Sequence, residues 1–288
     1  MSRLRDDYDP RAPRGTGGIM RPRAPLATVE AIVADLRVLR RILTAANVPM
    51  VPLVTTISDF HELGDLPFRL AERATFVVRS ARGGDRGTLP VARVERGFIG
   101  PNGRHMSPAA LNRYVAHILE GAFVDGQSDG AVIEEPIRAA SLFQHIGAAG
   151  ALRIRVGTRH GQAVAAELHP LDTVTAPDSA PAPGVVVLGL EPEHGVVERF
   201  WHRAAIGAAH PPIVSALLGN SVRGWSVICA AAARAAKAIG LPELAIDLVV
   251  DPSRGPLVVA VAAVPEMTLP AVAPRASVHP HSMSTRLA

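Results

Sequence analysis

The chain has almost no cysteine and almost no lysine. Its single cysteine, Cys229, excludes an internal disulfide and a cysteine-based zinc cluster. Of its 30 lysine and arginine residues, only Lys237 is a lysine. A mechanism that needs several ammonium groups would therefore have to use arginine, whose charge is spread over a planar fork. Aromatic residues make up 4% of the chain, which leaves little material for stacking bases or sugars.

Long apolar runs are also missing from the sequence. No uncharged apolar stretch reaches about 18 residues, so we expect no membrane span. The N-terminus lacks an apolar signal core. With 48% hydrophobic and 19% charged residues among 288, the composition predicts a soluble globular protein, cytoplasmic by default. The length allows one large domain or two to three lobes.

The two ends of the chain differ in composition from the middle. Residues 1–27 carry six arginines among Pro, Gly and acids and predict a flexible tail, and residues 271–288 predict a second, irregular one. The arginines and a pI of 10.1 also fit a nucleic-acid binder. Three aspartates offset part of the charge of the first tail. We therefore favour a solvated tail and expect no nucleic-acid partner.

Between these tails the sequence alternates helical and hairpin patterns. Residues 28–46 predict an amphipathic helix capped by Thr28, and residues 59–73 predict a second helix broken at Pro67. Further helices are predicted at 107–119 and 226–239. Strands are predicted at 50–57, 75–79, 89–94, 131–134, 152–157, 162–168 and 185–190. This order favours an α+β fold with antiparallel sheets over a doubly wound one.

A closing hairpin is predicted at residues 241–267. If residues 252–255 form its loop, Asp251 faces Pro256 and Asp247 falls opposite Ala260. Asp247 is the one acid inside the first apolar run. A lone acid there fits either a metal ligand or a buried, hydrogen-bonded carboxylate.

A glycine-rich loop, residues 82–87 (RGGDRG), joins two predicted strands. Backbone N–H groups in such a loop can cradle a phosphate. Glycine is also the ordinary residue of a plain hairpin turn, because it adopts positive φ without strain. The loop alone therefore leaves both interpretations open.

Several short segments keep one order along the chain, and together they resemble the ATP-grasp superfamily. Over roughly residues 30–287 the resemblance is in particular to its alpha-L-glutamate-ligase-like or sugar-transfer-associated group. The matching segments are a helix and the turn that ends it at 35–52, a strand and phosphate loop at 76–83 (FVVRSARG), a hinge at 129–134 (DGAVIE), a strand at 152–154 (LRI), and closing motifs at 224–225 (GW), 246–247 (ID) and 255–256 (GP).

The resemblance implies a fold of two α+β lobes around a nucleotide cleft. We expect an N-terminal segment at 28–73, a small lobe at 74–137 and a large lobe at 138–270. Family members bind Mg-ATP and phosphorylate a carboxylate, which an amine then attacks. By resemblance the nucleotide contacts fall on Arg79, Arg82, Gly83, Gly84, Glu134, Glu135 and Arg153, and the residual metal ligand is Asp247.

Each of these assignments has a structural alternative. Arg79 could pair with an acid at the surface, and Arg153 could form a structural salt bridge. Glu134 and Glu135 are adjacent, so only one of them can face inward on a strand.

The sequence departs from the family where the chemistry is performed. The family's lysine after Asp35 falls on Leu36, and the aspartate before LRI falls on Ala151. The closing hairpin has Ala260 and Ala262 where the family has its glutamate and asparagine ligands. We therefore predict no catalytic residue and interpret the chain as a pseudo-enzyme. It would bind ATP and Mg²⁺ weakly or not at all, and act as a scaffold or regulatory partner of an active ligase or pathway neighbour. The alternative is a divergent ATP-dependent carboxylate–amine ligase.

Overall fold

The computed structural model describes residues 32–143, 152–170, 186–202 and 216–263. Within them the chain forms two six-stranded antiparallel sheets, which confirms the α+β expectation. The elements are α1 (Leu36–Ala45), β1 (Leu53–Ile57), α2 (Leu66–Arg69), β2 (Thr75–Ser80), β3 (Leu89–Val94), β4 (Gly97–Ile99), β5 (His105–Met106), α3 (Pro108–Leu119), β6 (Ala131–Glu134), β7 (Leu152–Arg159), β8 (Gln162–Pro170), β9 (Val186–Leu190), β10 (Val197–His202), α4 (Trp225–Ile239), β11 (Glu243–Asp251) and β12 (Gly255–Ala262).

The helix predicted at 28–46 is interrupted at Asp35. Residues 32–34 are helical, but Asp35 has extended backbone angles and its carboxylate accepts the Arg37 N–H at 2.9 Å. A carboxylate at this position satisfies an amide that a helix start leaves unpaired, so a new helix, α1, begins after it. The predicted cap Thr28 lies outside the described residues.

The small lobe is built on the sheet with strand order β1-β6-β2-β3-β4-β5. Its core includes Phe76 and Phe98, whose rings meet edge to face at 5.8 Å, and the buried face of α3. Ser107 caps α3 as predicted. The helix predicted at 59–73 is instead a 3₁₀ turn followed by α2, because Pro67 lies in the first turn of α2, where its missing N–H costs nothing.

The large lobe is built on the sheet with order β10-β9-β8-β7-β11-β12, covered on one face by α4. Side chains alternate between the two faces of each strand. Ile154, Ile246 and Leu248 are fully buried in the core beneath α4. Leu39 and Leu43 of α1 belong to the same core, whereas β1 joins the small sheet. The segment predicted at 28–73 thus contributes to both lobes.

The closing hairpin has a turn one residue shorter than predicted. Asp251 pairs with Gly255 rather than with Pro256, because the Asp251 carboxylate accepts the N–H groups of Ser253 and Arg254 and tightens the turn. The register then shifts between Leu248 and Asp247, where β12 carries an extra residue. This bulge cancels the shorter turn, so that Asp247 does lie opposite Ala260, as expected.

The two lobes are joined by backbone contacts near the hairpin. Val258 donates its N–H to the Pro49 carbonyl at 3.0 Å, and Ala140 donates to the Val250 carbonyl at 2.7 Å. Strands β11 and β12 are therefore tied to the chain segments that lead into and out of the small sheet. None of the helices in the described ranges combines the length and apolar character that a membrane crossing requires.

Candidate functional site

The face of the large sheet opposite α4 carries buried charged side chains on three neighbouring strands. Arg155 of β7 is paired in register with Glu167 of β8 on one side and Asp247 of β11 on the other. Arg153 is paired with His169 in the same way. All five side chains are buried, and His169 Nε2 lies 2.9 Å from the Glu167 carboxylate. Positive and negative side chains thus lie next to one another, and this pairing offsets the free-energy cost of burying them.

Asp247 is held by Arg155 through both of its oxygen atoms. Arg155 donates from Nε to Oδ1 at 2.8 Å and from Nη2 to Oδ2 at 3.0 Å. This is the two-bond geometry that a guanidinium makes with a carboxylate. Burial opposes ionisation of both groups, but their mutual attraction outweighs it. The pKa of Asp247 is therefore lowered and the pKa of Arg155 raised. Asp247, 4% exposed, is a stably ionised member of a buried ion pair.

Arg153 connects this ion pair to the glycine-rich loop. Its Nη1 lies 3.0 Å from the Asp85 carboxylate and 3.7 Å from Asp247 Oδ2. Asp85 belongs to the loop between β2 and β3 of the small lobe, whereas Arg153 belongs to β7 of the large lobe. The Asp85–Arg153 contact therefore crosses the cleft between the two lobes.

Arg79 lies at the same junction but is turned toward the hinge strand β6. Its Nη1 is 3.3 Å from the Glu134 carboxylate and 3.3 Å from the Val259 carbonyl of the large lobe. Glu134 is buried and also accepts from Arg40 of α1. Because two guanidinium groups share Glu134, its charge is already neutralised by the protein. Arg79 makes no other hydrogen bond within the described part of the chain.

Glu135, the neighbour of Glu134, faces outward. It accepts from Arg73 of the small lobe at 3.2 Å and from Arg254 of the β11–β12 turn at 2.6 Å. These side chains are partly exposed. The expectation that only one of the two glutamates faces inward is confirmed, and that residue is Glu134.

The first half of the glycine-rich loop is anchored by side chains of its own lobe. The Gly83 N–H donates to Ser80 Oγ at 2.7 Å, and a Cβ at position 83 would lie 2.5 Å from that oxygen. Ser80 in turn donates to the buried Asp129, which also accepts from Arg82. Arg82 is thereby directed toward residues 127–129. Of the backbone N–H groups, those of Gly84 and Asp85 make no hydrogen bond within the described residues and are available to a ligand.

The chain thus has two antiparallel α+β lobes that meet at a glycine-rich loop, the arrangement that the ATP-grasp resemblance predicts. The family model for sugar-transfer associated ATP-grasp proteins matches residues 26–286. The chain therefore belongs to this family. A search of curated protein sequences gave no match.

Solved structures with a similar fold are ligases and synthetases of low sequence identity. D-cycloserine synthetase DcsG is 17% identical with a TM-score of 0.46, covering 83% of this chain and 64% of its own. VanG D-Ala:D-Ser ligase from Enterococcus faecalis is 13% identical with a TM-score of 0.48, covering 83% and 55%. The chain thus spans between about half and two-thirds of these proteins.

The donor set does not fit the magnesium ion that the family implies. Mg²⁺ requires hard oxygen ligands in octahedral geometry. Both oxygens of Asp247 accept from Arg155, and the residues facing this strand from β12 are Ala260 and Ala262, which offer no side-chain ligand. Ala151 lies outside the described residues. The guanidinium of Arg155 supplies the positive charge that a metal ion would otherwise bring to Asp247.

Four residues that shape this site were not among the candidates from the sequence: Arg155, Asp85, Glu167 and His169. Arg155 follows Arg153 by two positions, and this period-2 spacing places both on one face of a strand. Asp85 was visible as the one acid of the glycine-rich loop. Their partners could not be read from the sequence, because Arg155 and Asp247 are separated by 92 positions.

Proposed function

We propose that this chain is a degenerate ATP-grasp protein that does not catalyse ligation and acts by binding, as a scaffold or regulatory partner of another protein. The bidentate ion pair between Arg155 and Asp247 carries this proposal. Catalysis of phosphoryl transfer consists largely of positioning and charge neutralisation by metal ions and fixed cations. Here Asp247, which the family resemblance assigns to the metal ion, is neutralised by Arg155. Arg155 is fixed within the central strand β7.

The alanines strengthen the proposal. A divalent ion that clamps two phosphates needs more than one protein ligand to hold its geometry. Displacing Arg155 from Asp247 would leave a buried guanidinium without its main partner, and Ala260 and Ala262 would add nothing to the ion. Loss of one preorganised electrostatic group typically lowers a rate by about 10²–10³. Several such losses leave little catalysis, although the factors do not multiply.

We propose that the chain still binds a nucleotide, weakly and without a metal ion. Arg79 keeps N–H groups free of hydrogen bonds within the described residues, and the backbone of Gly84 and Asp85 offers two more donors. These groups belong to the two small-lobe segments that contact the large lobe, Arg79 at Val259 and the glycine-rich loop at Arg153. They suit a phosphate, which backbone amides and arginines bind without a metal ion.

Calorimetric titration with ATP, with and without Mg²⁺, tests the proposal. We expect weak binding whose affinity does not increase with Mg²⁺, and no ADP release in the presence of carboxylate and amine substrates. Arg79→Ala should weaken binding, whereas Arg96→Ala, on the exposed β3–β4 turn, should leave it unchanged. Tight, Mg²⁺-dependent binding with ADP release would refute the pseudo-enzyme.

That result would favour the second candidate, a divergent ATP-dependent carboxylate–amine ligase. The observation in its favour is the extent of the family match, residues 26–286, which includes both lobes. Such an enzyme would have to draw its metal ligands from other residues. The reaction itself separates the two candidates, because ADP release that requires Mg²⁺ and both a carboxylate and an amine is expected of a ligase and not of a pseudo-enzyme.

A further inference from the structure

A cavity of about 560 Å³ lies beside the C-terminal half of α4, the helix that covers the face of the large sheet opposite the buried charges. Its other walls are the turn between β7 and β8 and the loop that leads from α4 into β11. Three side chains that can donate hydrogen bonds to an anion line it: His160 of the turn, and Arg234 and Lys237 of α4. Its volume lies in the range of small-molecule sites, about 300–1,000 Å³.

The positive charge of this cavity is not balanced by a neighbouring acid. His160, Arg234 and Lys237 are exposed, and their side chains form no ion pair or hydrogen bond within the described residues. No acid is among the described residues that line the cavity, and α4 itself contains none. Glu243, at the start of β11, is already paired with Arg159 at 2.8 Å. The cavity therefore attracts an anion from solution.

The end of α4 explains part of this charge but not all of it. The carbonyl groups at a helix C-terminus carry partial negative charge, which a cation in the last turn offsets, and Lys237 lies in that turn. His160 belongs to a different element, so the helix does not account for it.

His160 also has a backbone conformation that glycine and asparagine adopt more readily. Its φ is 49° and that of Gly161 is 79°, so both central residues of the two-residue β7–β8 turn have positive φ. Asn-Gly is a pair that such a turn favours. The other non-glycine residues with positive φ in the described ranges are Asn47 and Asp125, whose short polar side chains suit this region. A histidine held here indicates a role for its imidazole beyond the turn.

The walls of the cavity are fixed against one another. The His160 N–H donates to the Pro242 carbonyl at 2.6 Å, which ties the β7–β8 turn to the loop that follows α4. Leu241 and Pro242 of that loop also line the cavity. The cavity thus offers apolar contacts next to its three donors, in a position set by the backbone.

We propose that this cavity binds a small organic anion whose carboxylate or phosphate group is held by Arg234, Lys237 and His160. Its apolar part would contact Leu241 and Pro242. An arginine fork and a lysine ammonium both suit the oxygen atoms of such a group. The cavity shares no residue with the cleft between the lobes, so this inference does not depend on nucleotide binding there.

Lys237 is the only lysine of the chain, so an amine-acylating succinimidyl ester reports on this cavity through a single side chain. Inorganic phosphate and succinate are the probes, and sodium chloride at equal ionic strength is the reference. At about ten times its Kd, a bound anion should slow the acylation of Lys237 about tenfold, because chiefly the unbound fraction reacts. The probe that protects at the lower concentration identifies the preferred oxyanion. Equal acylation rates in all three solutions would overturn the proposal.

Two variants test whether the protection comes from the cavity as a whole. Arg234→Gln and His160→Asn should each raise the anion concentration needed for protection about tenfold, as expected for loss of one hydrogen bond to a charged group. Arg113→Gln is the matched control, because Arg113 is an exposed arginine of α3 without an ion pair in the described part of the chain; its protection should not change. If both cavity variants are protected as well as the natural protein, the anion acts on Lys237 alone and the proposed site is wrong.

Urea denaturation of His160→Asn separates binding from folding. Asparagine before Gly161 gives the turn a favoured pair, so the free energy of unfolding should stay the same or rise while protection is lost. A less stable His160→Asn would show that His160 is kept for the fold, which would remove it from the proposed site.

Discussion

Arg155→Met should destabilise the large lobe strongly, because it leaves the charge of Asp247 buried without its main partner. Methionine keeps the length and apolar stem of arginine, so the loss of packing is small. Among the described residues, Asp247 would then have Arg153, at 3.7 Å, as its nearest arginine. Removing one partner of a buried ion pair typically costs about 3–5 kcal/mol.

The free energy of protonating Asp247 sets an upper limit on this cost. Asp247 can escape the unpaired state by taking up a proton, and at pH 7 this costs about 1.36 kcal/mol for each of roughly three pH units above its ordinary pKa, or about 4 kcal/mol. The cost of the substitution should not exceed this protonation cost by much. Adding Asp247→Leu should recover a large part of the loss, because an apolar pair of similar volume is often as stable as a buried ion pair.

The pH dependence of the free energy of unfolding shows whether the charge of Asp247 causes the loss of stability. In the natural protein the pKa of Asp247 is lowered in the folded state, so the ion pair stabilises the fold above the pKa of the unfolded chain and is lost as pH falls through the folded pKa. In Arg155→Met the main group that lowers the pKa of Asp247 is gone, and burial, opposed by the more distant Arg153, should raise the folded pKa, so the variant should lose stability as pH rises. The difference between the two proteins should be largest near pH 7 and shrink toward pH 4.

Urea denaturation followed by tryptophan fluorescence measures this difference, because Trp225 is buried in the large lobe. Arg159→Met is the matched control. Arg159 is on the same strand and pairs with Glu243 at 2.8 Å, but both side chains are well exposed, so we expect a loss below about 1 kcal/mol. If Arg155→Met costs no more than Arg159→Met, or its cost does not change with pH, the account of the Asp247 ion pair is wrong.

Two further predictions concern the small lobe and the hinge. Ser107→Ala should lower the free energy of unfolding by about 1 kcal/mol, since Ser107 Oγ accepts the Ala110 N–H at 3.2 Å at the start of α3; an unchanged urea midpoint would contradict this. Glu135→Gln removes the charge that two arginines share across the lobes, so amides of the β11–β12 turn should exchange faster. Its stability should fall by less than about 1 kcal/mol, because these pairs are partly exposed, and unchanged exchange would show that Glu135 does not link the lobes.

Local features of the fold were predictable from the sequence because they depend on neighbouring residues. Period-2 apolar patterns with Gly and Pro turns located β2, β3, β6 and the β7–β8 hairpin within one or two residues, and Ser107-Pro108 gave the start of α3. Asp35 shows the limit of this reasoning. Its apolar neighbours continue a helical pattern, and only the competition between side-chain capping and helix continuation ends the first helical turn there.

The register of the closing hairpin was predicted correctly at Asp247 for the wrong reason. Apolar residues fill both β11 and β12, so their pattern does not distinguish a shorter turn with a bulge from a longer turn without one. The carboxylate of Asp251, which tightens the turn, was the one available signal. The roles assigned to Arg79, Arg82, Gly83, Gly84, Glu134, Glu135, Arg153 and Asp247 stay predictions, and what the structure adds is the protein partners of their side chains.

Those partners explain how a nucleotide-binding fold can remain stable without its ligands. A cleft built for phosphates and metal ions holds charges that are costly to bury when the ligands are absent. In this chain Asp85 contacts Arg153 and Arg155 contacts Asp247, so two charged residues that the family resemblance assigns to ligands both have protein partners. The two contacts differ in permanence, because Arg155 lies within a central strand whereas Asp85 lies at the tip of a glycine-rich loop. The Arg155–Asp247 pair is therefore fixed by the sheet, whereas the Asp85–Arg153 contact depends on the conformation of a loop in which Gly84 and Gly87 have positive φ.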